Sequence, residues 1–322
     1  TFLFPAQDRA RETPLSPVPH AMYSIWICFI LCVPAQTSQC VSMVQRQALP
    51  VTPMGRQKPK PWEVNNYIIA SYHKAGVYLS NSLTRTIFSV LAAPPEALGH
   101  VQYPCYDDAP TCSNMDAPVL MYTDSFNASV EFVRRLKSGS KRLLVAGFVR
   151  DPLEMVASAY CYHHDGQEWE NKLFPVPEIM QMGPEQGTQV SAESLLPLVE
   201  WMASVFAHPD KDTLRLELDD LDKSSEAFDL GVKRLLDHFF GTGTDLISKR
   251  ERFLISQEAK LSDANRNPQA TVDKTATSLS GDDHRSNTAC KEIAHSVLHK
   301  SLSPPLLARY QDLQRKLGYP AP

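Results

Sequence analysis

Residues 66–91 read NYIIASYHKAGVYLSNSLTRTIFSVL, and the middle of that stretch has the residue types to hold an anion. Tyr67-Ile68-Ile69-Ala70 is a short apolar run that reads as a strand. It breaks into a polar turn carrying Lys74 and Gly76, and apolar residues then return at Leu79, Leu83, Ile87 and Leu91, the spacing of a buried helix face. Strand, loop and helix in that order aim backbone N–H groups and the positive end of a helix dipole at one spot, where the lysine adds a full charge. The chemistry this predicts is binding of a phosphate-like anion, although a lysine also follows a strand by chance in many α/β proteins.

A second junction of the same kind lies further on. Leu143–Val149, LLVAGFV, has the continuous apolar character of a strand buried on both faces and stops at Arg150-Asp151-Pro152. Aspartate in the cap position and proline in the first turn start a helix there, carrying Met155, Ser158, Ala159 and Tyr162 forward to His163-His164. Around these junctions the chain alternates. Ala117–Thr123 reads as a strand ending in Asp124, Ala128–Leu136 and Leu195–Ala207 as helices, and Thr213–Leu216 as a strand. Glu226–Phe240 reads as a helix closed by Gly241, Lys260–Asp283 as loop, and Leu306–Leu317 as a final helix whose charged face has no evident task. This is the pattern of an α/β domain with a mostly parallel sheet. The 25 prolines fall largely before Trp62 and in the segments Pro94–Pro118 and Pro175–Pro197, which are expected to be loops and linkers. A hydrophobic content of 43% supports a sizeable core, and a formal charge of −4 gives no reason to expect a nucleic-acid partner.

Residues 1–60 are expected to lie outside the fold, leaving 61–322 as a single domain. Thr1–His20 has the composition of a disordered segment. Met22 opens MYSIWICFILCVPAQ, an apolar run ending in small residues that suits a secretory signal peptide cleaved after Ala35. A short uncleaved anchor over 22–35 or a disordered apolar tail are the alternatives, and only the anchor would attach the protein to a membrane. Cys105 and Cys112 flank the loop YDDAPT and are the best disulfide candidates if the protein is luminal, and Asn127-Ala128-Ser129 is a glycosylation sequon. These features point to the secretory pathway, the Golgi lumen or the exterior. The sequence says nothing of oligomeric state.

Three separated stretches resemble the sulfotransferases that use 3′-phosphoadenosine-5′-phosphosulfate (PAPS): SYHKAGVYL at 71–79, FVRDPLEMVASAYCYHH at 148–164 and LRLELDDL at 214–221. The second is the most specific, with Arg150, then Asp151-Pro152, then Ser158 eight residues after the arginine. The resemblance implies a three-layer α/β/α fold with a central mostly parallel sheet, of the P-loop-NTPase-like sulfotransferase type. It implies transfer of a sulfuryl group from PAPS to a hydroxyl or amine of a carbohydrate or small-molecule acceptor. Lys74 would stand beside the 5′-phosphate and the leaving oxygen, backbone N–H groups of Ala75, Gly76, Val77 and Tyr78 would cradle that phosphate, and Arg150 with Ser158 would bind the 3′-phosphate.

Asp124 falls where the family places an acceptor base, and the alternative is that it caps the next helix. His163 and His164 read more readily as packing or capping residues, and Trp169 as a surface aromatic beside Glu168. No metal is required, and no cluster with metal-ligand spacing stands out. Two departures matter. Val77 and Tyr78 occupy positions where the family has two hydroxyl residues, which leaves Ser80 to compensate and raises the alternative of a weak or inactive nucleotide- or partner-binding relative. The late basic-glycine motif is also incomplete, with Ser280-Gly281-Asp282, Arg266, Lys274 and Arg285 as candidates. A kinase-like phosphotransferase would need Gly-Lys-Ser/Thr after a longer glycine loop, which does not occur.

Overall fold

The computed structural model describes residues 58–102, 112–124, 126–127, 138–169, 171–268, 272–273, 282–283 and 287–320. The chain divides into two units, Thr1–Gly55 and Arg56–Pro322, and every described residue belongs to the second. The expected leader over 22–35, the helix expected over 128–136 and Cys105 lie outside the described residues.

A six-stranded sheet runs in the order β3-β2-β4-β1-β5-β6. Its strands are β1 (Asn65–Ser71), β2 (Leu98–Gln102), β3 (Cys112–Ser113), β4 (Val119–Thr123), β5 (Arg142–Val149) and β6 (Thr213–Glu217). All neighbours pair in parallel except β3, which runs antiparallel to β2 at the edge. A separate two-residue ribbon joins β7 (Val272–Asp273) to β8 (Asp282–Asp283).

Side chains alternate across each strand, so the same strands feed two cores. From β1 and β5, Tyr67, Ile69, Leu144, Ala146 and Phe148 face one core, shared with helices α1 (Val77–Val90), α4 (Ser225–Phe240) and α5 (Lys249–Ala259). Ile68, Ala70, Val145 and Val149 face the other, closed by α2 (Pro152–His164), α3 (Pro184–Phe206), α6 (Thr288–Ser301) and α7 (Pro304–Lys316). Helices on both faces make the three-layer α/β/α architecture that the resemblance implies, around the mostly parallel sheet that the alternating pattern predicts. The continuous apolar run of β5 is explained by burial on both sides, from Leu143 to Val149.

Several boundaries differ from expectation. The supposed linker Pro175–Pro197 contains the one-turn helix Val176–Ile179 and the first half of α3, which starts at Pro184 rather than Leu195. Pro184 sits in the first turn, where a missing N–H costs nothing. Pro197 lies inside the helix, and burial of Leu195, Leu198, Val199, Met202 and Phe206 outweighs the roughly 3 kcal/mol that an internal proline costs. Likewise the proline-bearing stretch 94–118 holds β2 and β3. The segment Lys260–Asp283 is broken by a short 3-10 turn, Lys260–Ser262, and by the ribbon. The charged face of α7 forms ion pairs: Asp312 meets Lys316 at 2.9 Å, and Arg309 reaches Glu200 on α3 at 2.8 Å. None of the described helices is long and apolar enough to cross a membrane.

Gly147 marks a close approach of α3 to the sheet. A Cβ there would lie 1.9 Å from Cζ of the fully buried Phe206 on α3, so the ring must shift. Gly147→Ala is expected to lower stability by roughly 1–3 kcal/mol, read as a lower urea midpoint at unchanged slope.

Candidate active site

The register of the three middle strands fixes where chemistry can occur. β1 pairs with β4 up to Ser71↔Thr123 and with β5 up to Ala70↔Gly147, so all three strands end at the same edge of the sheet. The chain leaves β1 toward β2 on one side and leaves β5 toward β6 on the other. The crevice between them is the switch point at which open α/β sheets bind ligands. Asp124, Lys74 and Arg150 are the residues delivered there.

Together they line a cavity of about 460 Å³ with His73, Gly76, Val77, Tyr78, Ser158, Glu168, Leu218 and Lys291, among others. Of the residues expected to catalyse or to bind the nucleotide, Ala75 is missing from its wall, as are the further candidates Ser80 and Arg266. Ala75 is fully buried, and its N–H donates to the Tyr72 carbonyl at 2.7 Å. The turn after β1 thus already uses this amide, one of those expected to cradle the phosphate. Gly76 takes the left-handed conformation, φ +82°, and caps α1 without a side-chain bond, so the first-turn amides from Val77 onward have no acceptor within the helix. A Cβ on Gly76 would also press against Leu218 at 3.2 Å, which is how the LELDDL stretch closes over the loop.

Arg150 ties the three stretches together. Its Nη1 donates to the Lys74 carbonyl at 3.3 Å, its Nε to Asp219 Oδ1 at 3.1 Å, and its Nη2 lies 3.9 Å from Glu154. The helix that follows begins as the sequence predicts, with the Asp151 carboxylate accepting from the amides of Leu153 and Glu154. Ser158, one per cent exposed, comes from the second turn of that helix.

The charge that sequence reading missed is Lys291. It lies on α6 beside Thr288, and both line the cavity; burial and then the Arg150 charge lower its pKa. Cys290 next to it is bonded to Cys161, one turn beyond Ser158 on α2. The disulfide therefore fastens α6 to α2, a pairing 129 residues apart that spacing alone does not suggest. Arg266, the described candidate for the late motif, turns elsewhere, to Asp229 at 2.7 Å and Asp263 at 2.9 Å. Lys274 and Arg285 lie outside the described residues. Ser80 does not compensate for Val77 and Tyr78. Its hydroxyl is buried against Ser71 Oγ and the Val77 carbonyl, each at 2.9 Å.

At the Lys74 end, side chains crowd. Lys74 Nζ stands 3.3 Å from the centre of the Tyr162 ring, a close cation–π contact. Asp124 is buried, and one of its carboxylate oxygens has no hydrogen-bond partner. Burial, and next the Glu168 charge, hold its pKa well above the usual carboxylate range, against a hydrogen bond from the His73 backbone and the charge of Lys74. The reading of Asp124 as a cap for a following helix concerns residues outside the described set. His163 is fully buried rather than a helix-end cap, and burial followed by His73 pushes its pKa down to about 3. His164 packs at a tilt on Tyr160, and Trp169 is an exposed aromatic, as expected. Three of the five described non-glycine residues with positive φ, Lys74, Asp124 and Glu168, lie on this cavity. Backbone of that kind collects at functional sites.

No family model matches this chain, and no curated protein matches it either. Among solved structures, the chain is similar to a mouse sulfotransferase, SULT7A1, complexed with PAP. The identity is 14%, over 81% of this chain and 85% of that one, with a TM-score of 0.40.

Two outcomes test the site's electrostatics and its fastening. Asp124 binds its proton more tightly folded than unfolded, so it favours the fold fully only at low pH, and that contribution is lost as pH rises toward its folded pKa. Asp124→Asn has no such loss. Its stability relative to wild type is expected to grow by about 1.4 kcal/mol per pH unit across that window, in urea titrations from pH 4 upward. Reduction of Cys161–Cys290, or Cys290→Ser, is expected to cost about 2–5 kcal/mol by the same method.

Proposed function

We propose that the chain is a PAPS-dependent sulfotransferase that passes a sulfuryl group to a hydroxyl or amine of a carbohydrate or small-molecule acceptor. The observation that carries this reading is the convergence of three distant stretches on one cavity lined by Lys74, the first turn of α1, Arg150, Ser158 and Lys291. Three cationic side chains around one cavity fit a nucleotide with phosphate at both the 5′ and 3′ positions better than they fit a single anion.

In this reading the acceptor oxygen attacks sulfur, the bond from sulfur to the bridging oxygen breaks, and the electron pair stays on the 5′-phosphate. Lys74 and the first-turn amides of α1 hold the charge that develops there. Asp124 takes the acceptor's proton. A carboxylate whose pKa is raised by burial is a stronger base than an exposed one, provided it is ionised, so turnover should rise with pH through its pKa. Arg150 and Lys291 hold the 3′-phosphate, and Ser158 adds a hydroxyl donor. Val77 and Tyr78 offer no hydroxyl of the expected kind at the 5′ end, which leaves more of that phosphate to Lys74 and backbone amides.

Cavity-lining Glu168, Asn171 and Leu173 come from the loop after α2 and are the candidates for acceptor contacts. The Cys161–Cys290 disulfide supports an oxidising compartment, in keeping with the proposed secretory routing.

Calorimetric titration with 3′-phosphoadenosine-5′-phosphate should show one binding site. Lys74→Ala and Arg150→Ala should each weaken it roughly tenfold or more, the loss of about 1.5–3 kcal/mol expected for a hydrogen bond to a charged group. Labelled-sulfate transfer to a panel of glycans and small alcohols then separates a catalyst from an inactive binder. Absence of nucleotide binding by the folded wild type would exclude both.

A further inference from the structure

We propose that His73, His163 and Glu168 form a binding site for a divalent cation of the zinc type, at the Lys74 end of the cavity. One ligand atom from each of the three side chains lies within 4.8 Å of the others, and among the described residues no other trio of histidine, cysteine or carboxylate groups does this. The pair His73–His163 is the firmest part. The two Nε2 atoms are 3.0 Å apart, the ring centres 5.0 Å apart and the ring planes within 4°. The centres stand farther apart than the facing nitrogens, so the rings meet nitrogen to nitrogen and not face to face.

His163 Nδ1 lies 3.2 Å from the Gln167 carbonyl, which can only accept, so the proton sits on Nδ1 and Nε2 carries a lone pair. That lone pair meets Nε2 of His73, which either donates to it or shares a cation with it. With a cation bound by both Nε2 atoms, His73 carries its proton on Nδ1 and His163 keeps the Gln167 bond, the kind of carbonyl contact that orients metal-bound histidines.

The donor set is a known one for zinc: two imidazoles and a carboxylate leave a position open for another ligand. Tetrahedral zinc with bonds of about 2.0–2.2 Å wants its ligands roughly 3.3 Å apart; the histidine nitrogens, 3.0 Å apart, are near that spacing, and Glu168, within 4.8 Å, must close in by up to about 1.5 Å. Glu168 can do so more readily than the histidines, because it sits on a loop and its side chain is 30% exposed, whereas both imidazoles are buried. Oε2, the oxygen 4.0 Å from His73 Nδ1, also accepts from Asn171 at 2.6 Å, which holds the carboxylate beside the histidines. His73 and Glu168 line the cavity while His163 lies behind them, so the open position faces the cavity.

The three ligands come from the β1 loop, the end of α2 and the loop beyond it. No motif spacing announces them, so reading the sequence alone leads to expecting no metal cluster.

The test is zinc titration of tag-free, chelator-treated full chain, followed by calorimetry, with cobalt absorption as a signature of the donor set. One equivalent should bind, and cobalt should give the visible bands of low-coordinate nitrogen and oxygen ligation. Glu168→Gln should weaken binding by roughly 10–100-fold, and His163→Gln should abolish it. His163 is buried, so circular dichroism and a thermal melt must accompany that variant; if it does not fold, partly exposed Glu168 decides. No stoichiometric binding by folded wild type, or binding that Glu168→Gln leaves unchanged, would overturn the assignment. Nucleotide binding on the same samples is a separate readout, so either proposal can fail while the other stands.

Discussion

The parallel pairing of β1 with β4 and β5 is the constraint on which the rest of this structure depends. Parallel strands in register finish at one edge, and each has just one residue or loop to place there. Those placements are Asp124, the His73–Gly76 turn and Arg150. Arg150 then converts proximity into a joined unit by bonding the Lys74 carbonyl and Asp219 at once. The two hydrophobic layers hold the strands, and the strands hold the site.

Polar groups at the crevice follow a division of labour. Cationic and hydrogen-bonding groups from α1, β5, α2 and α6 suit anion binding, whereas carboxylates and histidines gather beyond Lys74. Lys74 stands at the boundary between the two sets, with its ammonium over Tyr162 and its backbone held by Arg150. The disulfide joins α6 to α2 one turn beyond Ser158, so the covalent link and that cavity-lining serine share one helix.

Much of this was legible from local pattern. The β1–α1 and β5–α2 junctions, the Asp151 cap and the cavity positions of Lys74, Asp124, Arg150 and Ser158 follow from apolar spacing, capping chemistry and a family resemblance. What stayed hidden has two physical causes. Proline counts misled for α3 because burial of an apolar face outweighs local propensity. Lys291, the Cys161–Cys290 bond and the His73–His163–Glu168 group are contacts between distant segments, and one-dimensional spacing carries no trace of them. The turn bond of the Ala75 amide is hidden for another reason: local pattern does not show how a turn satisfies its own backbone.

The left-handed backbone at Lys74, Asp124 and Glu168 bears on how such a protein can change over time. Each of these residues is held in a conformation that glycine or asparagine adopts more cheaply. Selection for foldedness alone would therefore drift toward those residues at these three positions and dismantle the crevice while improving the scaffold. A library sorted only for robustness and sequenced deeply would outline this pocket by its losses, without any ligand ever being added.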